Sequence, residues 1–159
     1  MSIITGRGDS GETDLLFGKR ISKSSVRIEA LGCVDELNAA LGLARASGAD
    51  PEWVELIDAL QEKLIGLMGQ LATLPEDMER YLETKFPLIE QCDVDWVVAE
   101  ARKYESRGIR FKGWARPGAE GCAARAGVDF ARSVARRAER AILKLHESGE
   151  EVPESVRLF

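Results

Sequence analysis

Between Cys122 and Glu147 the chain carries no proline, and its side chains recur at helical spacing. Arg132, Arg136 and Arg140 fall every fourth residue and therefore form one stripe. Ala131, Val134, Ala135, Ala138, Ile142 and Leu145 fall on roughly the opposite side. A long helix with one apolar face has to bury that face against other elements, and the chain supplies helical partners. From Val26, the positions Ile28, Leu31, Val34, Leu37 and Leu41 mark a second amphipathic helix, ended by Ser47-Gly48. Asp50-Pro51-Glu52 starts a third, carrying Val54, Ile57, Leu60, Leu64, Leu67 and Leu71 and stopping near Pro75. Val94–Arg107, closed by Gly108, is a fourth, and Val152-Pro153-Glu154 opens one more. Residues 76–93, broken by Pro87, hold a short helix or two. No alternating stretch competes with this pattern, which specifies an all-α bundle.

The chain has 159 residues, enough for one domain with a real core. Only 6% are aromatic, so Leu, Ile, Val and Ala fill that core. A formal net charge of -5 argues against a nucleic-acid partner, and no apolar run is long enough to span a membrane. Cys33, Cys92 and Cys122 are odd in number and widely spaced, and His146 is the single histidine. A protein metal site and a disulfide framework are both excluded on that ground, and free buried thiols are the expectation. With no basic segment followed by an apolar one at the N-terminus, a cytoplasmic protein is expected.

Two clusters carry chemistry. Gly6-Arg7-Gly8-Asp9-Ser10-Gly11 matches the spacing of a dinucleotide fingerprint, but too few residues precede it to form the required strand. It is either a loose tail or a loop whose amides and cations, with Thr13, Asp14 and Lys23, cradle a phosphate. The Arg132, Arg136, Arg140 stripe is either an ordinary solvated face or a strip for an elongated polyanion, a triphosphate or an acidic partner. Asp35 falls on or beside the apolar stripe of its helix, where a carboxylate is either solvated or paired with an arginine from another helix or subunit.

Taken together, three blocks resemble the PduO-type ATP:cob(I)alamin adenosyltransferases: Thr5-Gly6-Arg7-Gly8-Asp9-Ser10-Gly11-Glu12-Thr13-Asp14 through Ser22-Lys23, Val26-Arg27-Ile28-Glu29-Ala30-Leu31-Gly32-Cys33-Val34-Asp35-Glu36-Leu37-Asn38-Ala39-Ala40-Leu41-Gly42, and Ala131-Arg132-Ser133-Val134-Ala135-Arg136-Arg137-Ala138-Glu139-Arg140. The resemblance implies a single domain over 1–159, with 1–25 as the nucleotide-binding loop and 26–159 as a five-helix bundle. It also implies a homotrimer with active sites between subunits, small-molecule substrates, and neither nucleic acid nor membrane as partner. The reaction implied is transfer of the 5′-deoxyadenosyl group of ATP to cob(I)alamin, giving adenosylcobalamin and triphosphate, with Mg²⁺ bound through ATP. A non-catalytic nucleotide- or corrinoid-binding bundle, or an interaction module using the arginine stripe, is the alternative.

By motif match, Thr5, Gly6, Arg7, Gly8, Asp9, Thr13, Asp14 and Lys23 belong to the loop part of the ATP site, and Arg136, Arg137, Glu139 and Arg140 to its helix part. Asp35 and Arg132 match a salt bridge across the subunit interface and join Arg136 in the catalytic group. Trp114, with Phe111 second, matches the aromatic on the corrin side. The family's connector reads Phe-x-x-Pro-Gly-Gly-Ser, whereas here Trp114-Ala115-Arg116-Pro117-Gly118-Ala119-Glu120-Gly121 stands in its place. A final helix with a Leu-Asn-Arg-Leu-Ser-Asp-like segment is also implied, and Ser155-Val156-Arg157-Leu158-Phe159 stands where it begins, so a bundle missing its last helix is expected.

Overall fold

The computed structural model describes residues 6–108 and 113–159. Helices dominate: α1 (Val26–Ala46), α2 (Pro51–Leu71), α3 (Met78–Leu82), α4 (Gln91–Glu105), α5 (Ala123–Glu147) and α6 (Glu154–Leu158). Ser25 caps α1, its hydroxyl accepting from the Ile28 amide. Asp50 and Pro51 open α2 as the sequence indicates, although the Asp50 side chain makes no capping bond. α4 begins three residues earlier than expected. Glu90 and Asp93 form a reciprocal capping box there, a signal concealed because the cap residue is a glutamate.

α1 and α5 pack antiparallel as the central pair, with Gly127 beside Ala44 at one end and Arg27 beside Glu150 at the other. Small side chains permit the approach: Ala30, Ala40 and Ala44 of α1 face Gly127, Ala131 and Ala138 of α5, all buried. A Cβ on Gly127 would stand 2.8 Å from the Ala44 Cα, so only glycine fits that crossing. Val34, Leu64, Leu67, Leu71, Ile142, Leu145, Val152 and Val156 fill the core. Each contributes roughly 1.5–3 kcal/mol if wholly buried. Segment 81–89 crosses α2, where Tyr81 Oη donates to the Pro87 carbonyl (2.8 Å) and Gln70 Oε1 accepts from the Ile89 amide (2.7 Å). Ser155 Oγ ties α6 to the Ile89 carbonyl (2.8 Å).

Two features depart from the sequence expectation. Residues within 1–25 are not all loop: β1 (Glu12–Asp14) and β2 (Arg20–Ser22) form an antiparallel hairpin with Asp14 opposite Arg20. Strands of three residues are too short for alternation to show. Burial also separates the thiols, since Cys33 is buried, Cys122 half-buried and Cys92 exposed. Burial, with Glu29 beside it, pushes the Cys33 thiol above its ordinary value.

No helix is long and apolar enough to cross a membrane, and no group of three His, Cys, Asp or Glu side chains could hold a metal ion, both among the described residues.

Candidate nucleotide site

The hairpin gathers most of the loop residues. The Asp9 amide donates to the Gly6 carbonyl (3.2 Å), the Gly11 amide to Gly8 (3.1 Å), and the Lys23 amide to Gly11 (2.8 Å), folding 6–11 back over β2. Lys23 Nζ reaches the Gly8 carbonyl at 2.7 Å. A Cβ on Gly8 would lie 2.7 Å from that ammonium, so the missing side chain is what lets the lysine lie across the loop. Arg7 pairs with Asp14 at 3.2 Å, and Arg20 binds the same carboxylate at 3.1 Å. Thr13 lies half-buried opposite Ile21. Gly6, Arg7, Gly8, Asp9, Thr13, Asp14 and Lys23 therefore share one small surface; Thr5 falls outside the described residues.

That surface is anchored to the corner after α2. The Leu16 amide donates to the Ala72 carbonyl (3.0 Å), Lys19 faces Glu76 (3.4 Å) and Asp77 (3.5 Å), and Arg80 stacks on the Phe17 ring at 4.4 Å. Phe17 adopts φ 60°, left-handed backbone that is costly for an aromatic residue. Arg27, directly after the hairpin, is buried: Nη1 donates to the carbonyls of Leu71 (2.9 Å) and Thr73 (3.1 Å), and Nη2 pairs with Glu150 at 2.6 Å.

The second cluster lies on α5. Arg132, Arg136, Arg137, Glu139 and Arg140 are all exposed. Arg132 Nε donates to Asp129 (2.9 Å), Arg136 pairs with Glu139 (2.8 Å), and Arg137 pairs with Glu36 of α1. Arg132, Arg136 and Glu139 also rim an apolar cavity of about 520 Å³ lined by Leu37, Leu64 and Ile142. Because α1 and α5 are antiparallel, the hairpin lies beyond the C-terminal end of α5, and the stripe stands roughly 10–20 Å back along that axis. The loop residues and the α5 stripe thus stand at separate places on one protomer. Asp35 is exposed on α1, not buried in its stripe, so within the protomer it needs no partner. Trp114 is 92% exposed, and Phe111 falls outside the described residues.

Sequence reasoning missed Arg20, Glu36 and Arg27. The Asp14–Arg20 register was the available signal for the first, and it is legible only once the hairpin is known.

Fold and surface together define a helical bundle that carries a glycine-lysine loop and an arginine-faced helix, residue types suited to anions. Residues 3–158 match the family model described as cobalamin adenosyltransferase, and the chain belongs to that family. It is 35% identical over 148 residues to the corrinoid adenosyltransferase PduO of Salmonella typhimurium, covering 91% of this chain and 41% of that protein. It is 34% identical over 161 residues to the corrinoid adenosyltransferase of Bacillus subtilis, covering 98% and 77%. The chain therefore spans about two fifths of the length of the Salmonella relative and over three quarters of the Bacillus one. Among solved structures it resembles a variant of the PduO-type ATP:corrinoid adenosyltransferase from Lactobacillus reuteri complexed with cobalamin and ATP. The TM-score is 0.84 at 26% identity, covering 99% of this chain and 84% of that one.

Proposed function

We propose that the protein transfers the 5′-deoxyadenosyl group of ATP to the cobalt of a reduced corrinoid, in sites shared between the subunits of a homotrimer. One observation carries the reading. Two surfaces with donors suited to phosphate, the hairpin with Lys23 and the α5 stripe with Arg136 and Arg140, lie apart on the protomer, as halves of a site completed by a neighbour would. Residues 1–159 act as one domain, with 1–25 serving the nucleotide and 26–159 the bundle.

In this reaction the cobalt(I) lone pair attacks C5′ of the ribose, a Co–C bond forms, the C5′–O bond breaks, and triphosphate leaves with that electron pair. No proton has to be removed from the nucleophile, so a site without histidine is chemically sufficient. Charge grows on the leaving triphosphate, and guanidiniums fixed beside it favour the transition state over the ground state. Gly6, Arg7, Gly8, Asp9, Thr13, Asp14 and Lys23, with Thr5, hold the nucleotide from the loop side. Arg136, Arg137, Glu139 and Arg140 hold it from α5 of the adjoining subunit. Asp35 and Arg132 bridge the subunits and fix the spacing between the two halves. Mg²⁺ would draw its ligands from the phosphate oxygens of the bound ATP and from water. Trp114 supplies an exposed apolar ring for the corrin side, with Phe111 as the second candidate. Free cysteines fit a reducing, cytoplasmic setting.

The test is turnover with reduced cobalamin, ATP and Mg²⁺, scored by adenosylcobalamin and triphosphate together. Arg136→Ala is expected to lower kcat/KM by on the order of a hundredfold, the loss typical of one preorganised charge-stabilising donor. Its melting temperature should barely move, because the side chain is exposed. Absence of both products in the unaltered protein would sink the reading.

A further inference from the structure

We infer that Arg20 is a positioning residue of the nucleotide loop, holding the Arg7–Gly8 peptide in the orientation that turns the Gly8 N–H toward a bound phosphate. The inference rests on the loop's proposed role in holding ATP. Arg20 lies on β2 opposite Asp14, and its fork meets three oxygens at once. Nε donates to Glu12 Oε2 (3.2 Å), Nη1 to Asp14 Oδ1 (3.1 Å), and Nη2 to the Arg7 carbonyl (2.9 Å).

The last bond matters most. In a planar trans peptide the carbonyl of one residue and the amide of the next point in opposite directions. Pinning the Arg7 oxygen toward Arg20 therefore directs the Gly8 N–H to the other face of the loop. Lys23 pins the following carbonyl, that of Gly8, but the Asp9 amide on that peptide already donates to Gly6. Arg20 is accordingly the side chain that sets the amide of Gly8, and Glu12 and Asp14 hold its planar guanidinium in place. Asp14 also binds Arg7, so the acid, the two arginines and the peptide form one connected unit. A lysine at position 20 keeps the charge but cannot reach the three oxygens together.

The experiment compares the full chain with Arg20→Ala and Arg20→Lys, measuring KM for ATP, KM for the corrinoid, melting temperature, and calorimetric binding of inorganic triphosphate. Both variants should raise the ATP KM and weaken triphosphate binding about tenfold, the scale of one lost charge-assisted hydrogen bond. Corrinoid KM should stay within about twofold and melting within a few degrees, as expected of a partly exposed side chain outside the core. Wild-type triphosphate binding in Arg20→Lys would overturn the inference, showing that charge alone suffices. So would parallel losses in both KM values together with early melting, which would mean general collapse of the hairpin. The calorimetric arm needs no turnover. A protein whose triphosphate binding depends on Arg20 yet which makes no adenosylcobalamin would refute the proposed reaction and leave this inference standing.

Discussion

At the scale of single residues, the loop depends on what is missing as much as on what is present. Gly8 has no Cβ, and the space is taken by the Lys23 ammonium on its way to the Gly8 carbonyl. Gly8→Ala displaces the flexible end of that lysine, because the remaining neighbour, the Glu12 carbonyl at 3.3 Å, gives way less readily. Melting should therefore shift by no more than about 2 °C, while KM for ATP rises roughly fivefold to tenfold as the lysine leaves its station. Unchanged nucleotide affinity would detach Lys23 from the site. The residue types were readable in the sequence, since glycines, lysine and hydroxyls at close spacing suit an anion. Which carbonyl each cation holds was not, because Arg20 and Lys23 act on Arg7 and Gly8 across a hairpin turn rather than at a local spacing.

At the scale of elements, the helices declared themselves and their joints did not. α5 and α1 were legible because apolar positions at helical spacing leave little alternative, and Pro51 marks a real start; the Ser25 cap of α1 emerged only from the structure. The hairpin escaped because three-residue strands carry no period, and the start of α4 escaped because its cap is Glu90. That capping box has a measurable signature. Burial pushes the Asp93 carboxyl up, but the Glu90 amide at 2.9 Å and Lys63 Nζ at 2.5 Å outweigh it and hold the group below the usual carboxylate range. A carboxyl depressed in the folded state adds stability that is complete above its unfolded value, about 3.9, and is lost as pH falls through the lower folded value. Asp93→Asn keeps an acceptor for the Glu90 amide and removes the charge facing Lys63. It should cost about 1 kcal/mol at pH 7, or about 2–4 °C in melting. The gap should close once the pH falls below the depressed value, where the natural residue is itself neutral. A gap independent of pH would mean that packing, not the ion pair, holds the start of α4.

At the scale of the whole molecule, the proposed trimer is what would join the loop and the α5 stripe. The α5 arginines are exposed, Arg132 has its contact on its own helix, and Asp35 stands exposed on α1. The sequence left Asp35 either solvated or paired with an arginine of another helix or subunit; it is exposed, and the proposed trimer would place that arginine on a neighbour. If Asp35 meets Arg132 of an adjoining subunit, each closed trimer repeats the pair at every interface, so a charge error at one position is multiplied around the ring. Asp35→Lys then sets like charges against each other wherever the pair recurs. It should shift the protein from trimer to monomer in light scattering, with turnover falling by about tenfold or more because the two halves of the site part company. Arg132→Glu alone should do the same. The double exchange restores opposite charges in reverse order, and it should recover the trimer and a substantial share of the activity that each single change loses. Additive damage in the double variant, or an intact and fully active trimer in either single one, would place the subunit contact elsewhere on the bundle and leave the hairpin and the α5 stripe without the geometry that joins them.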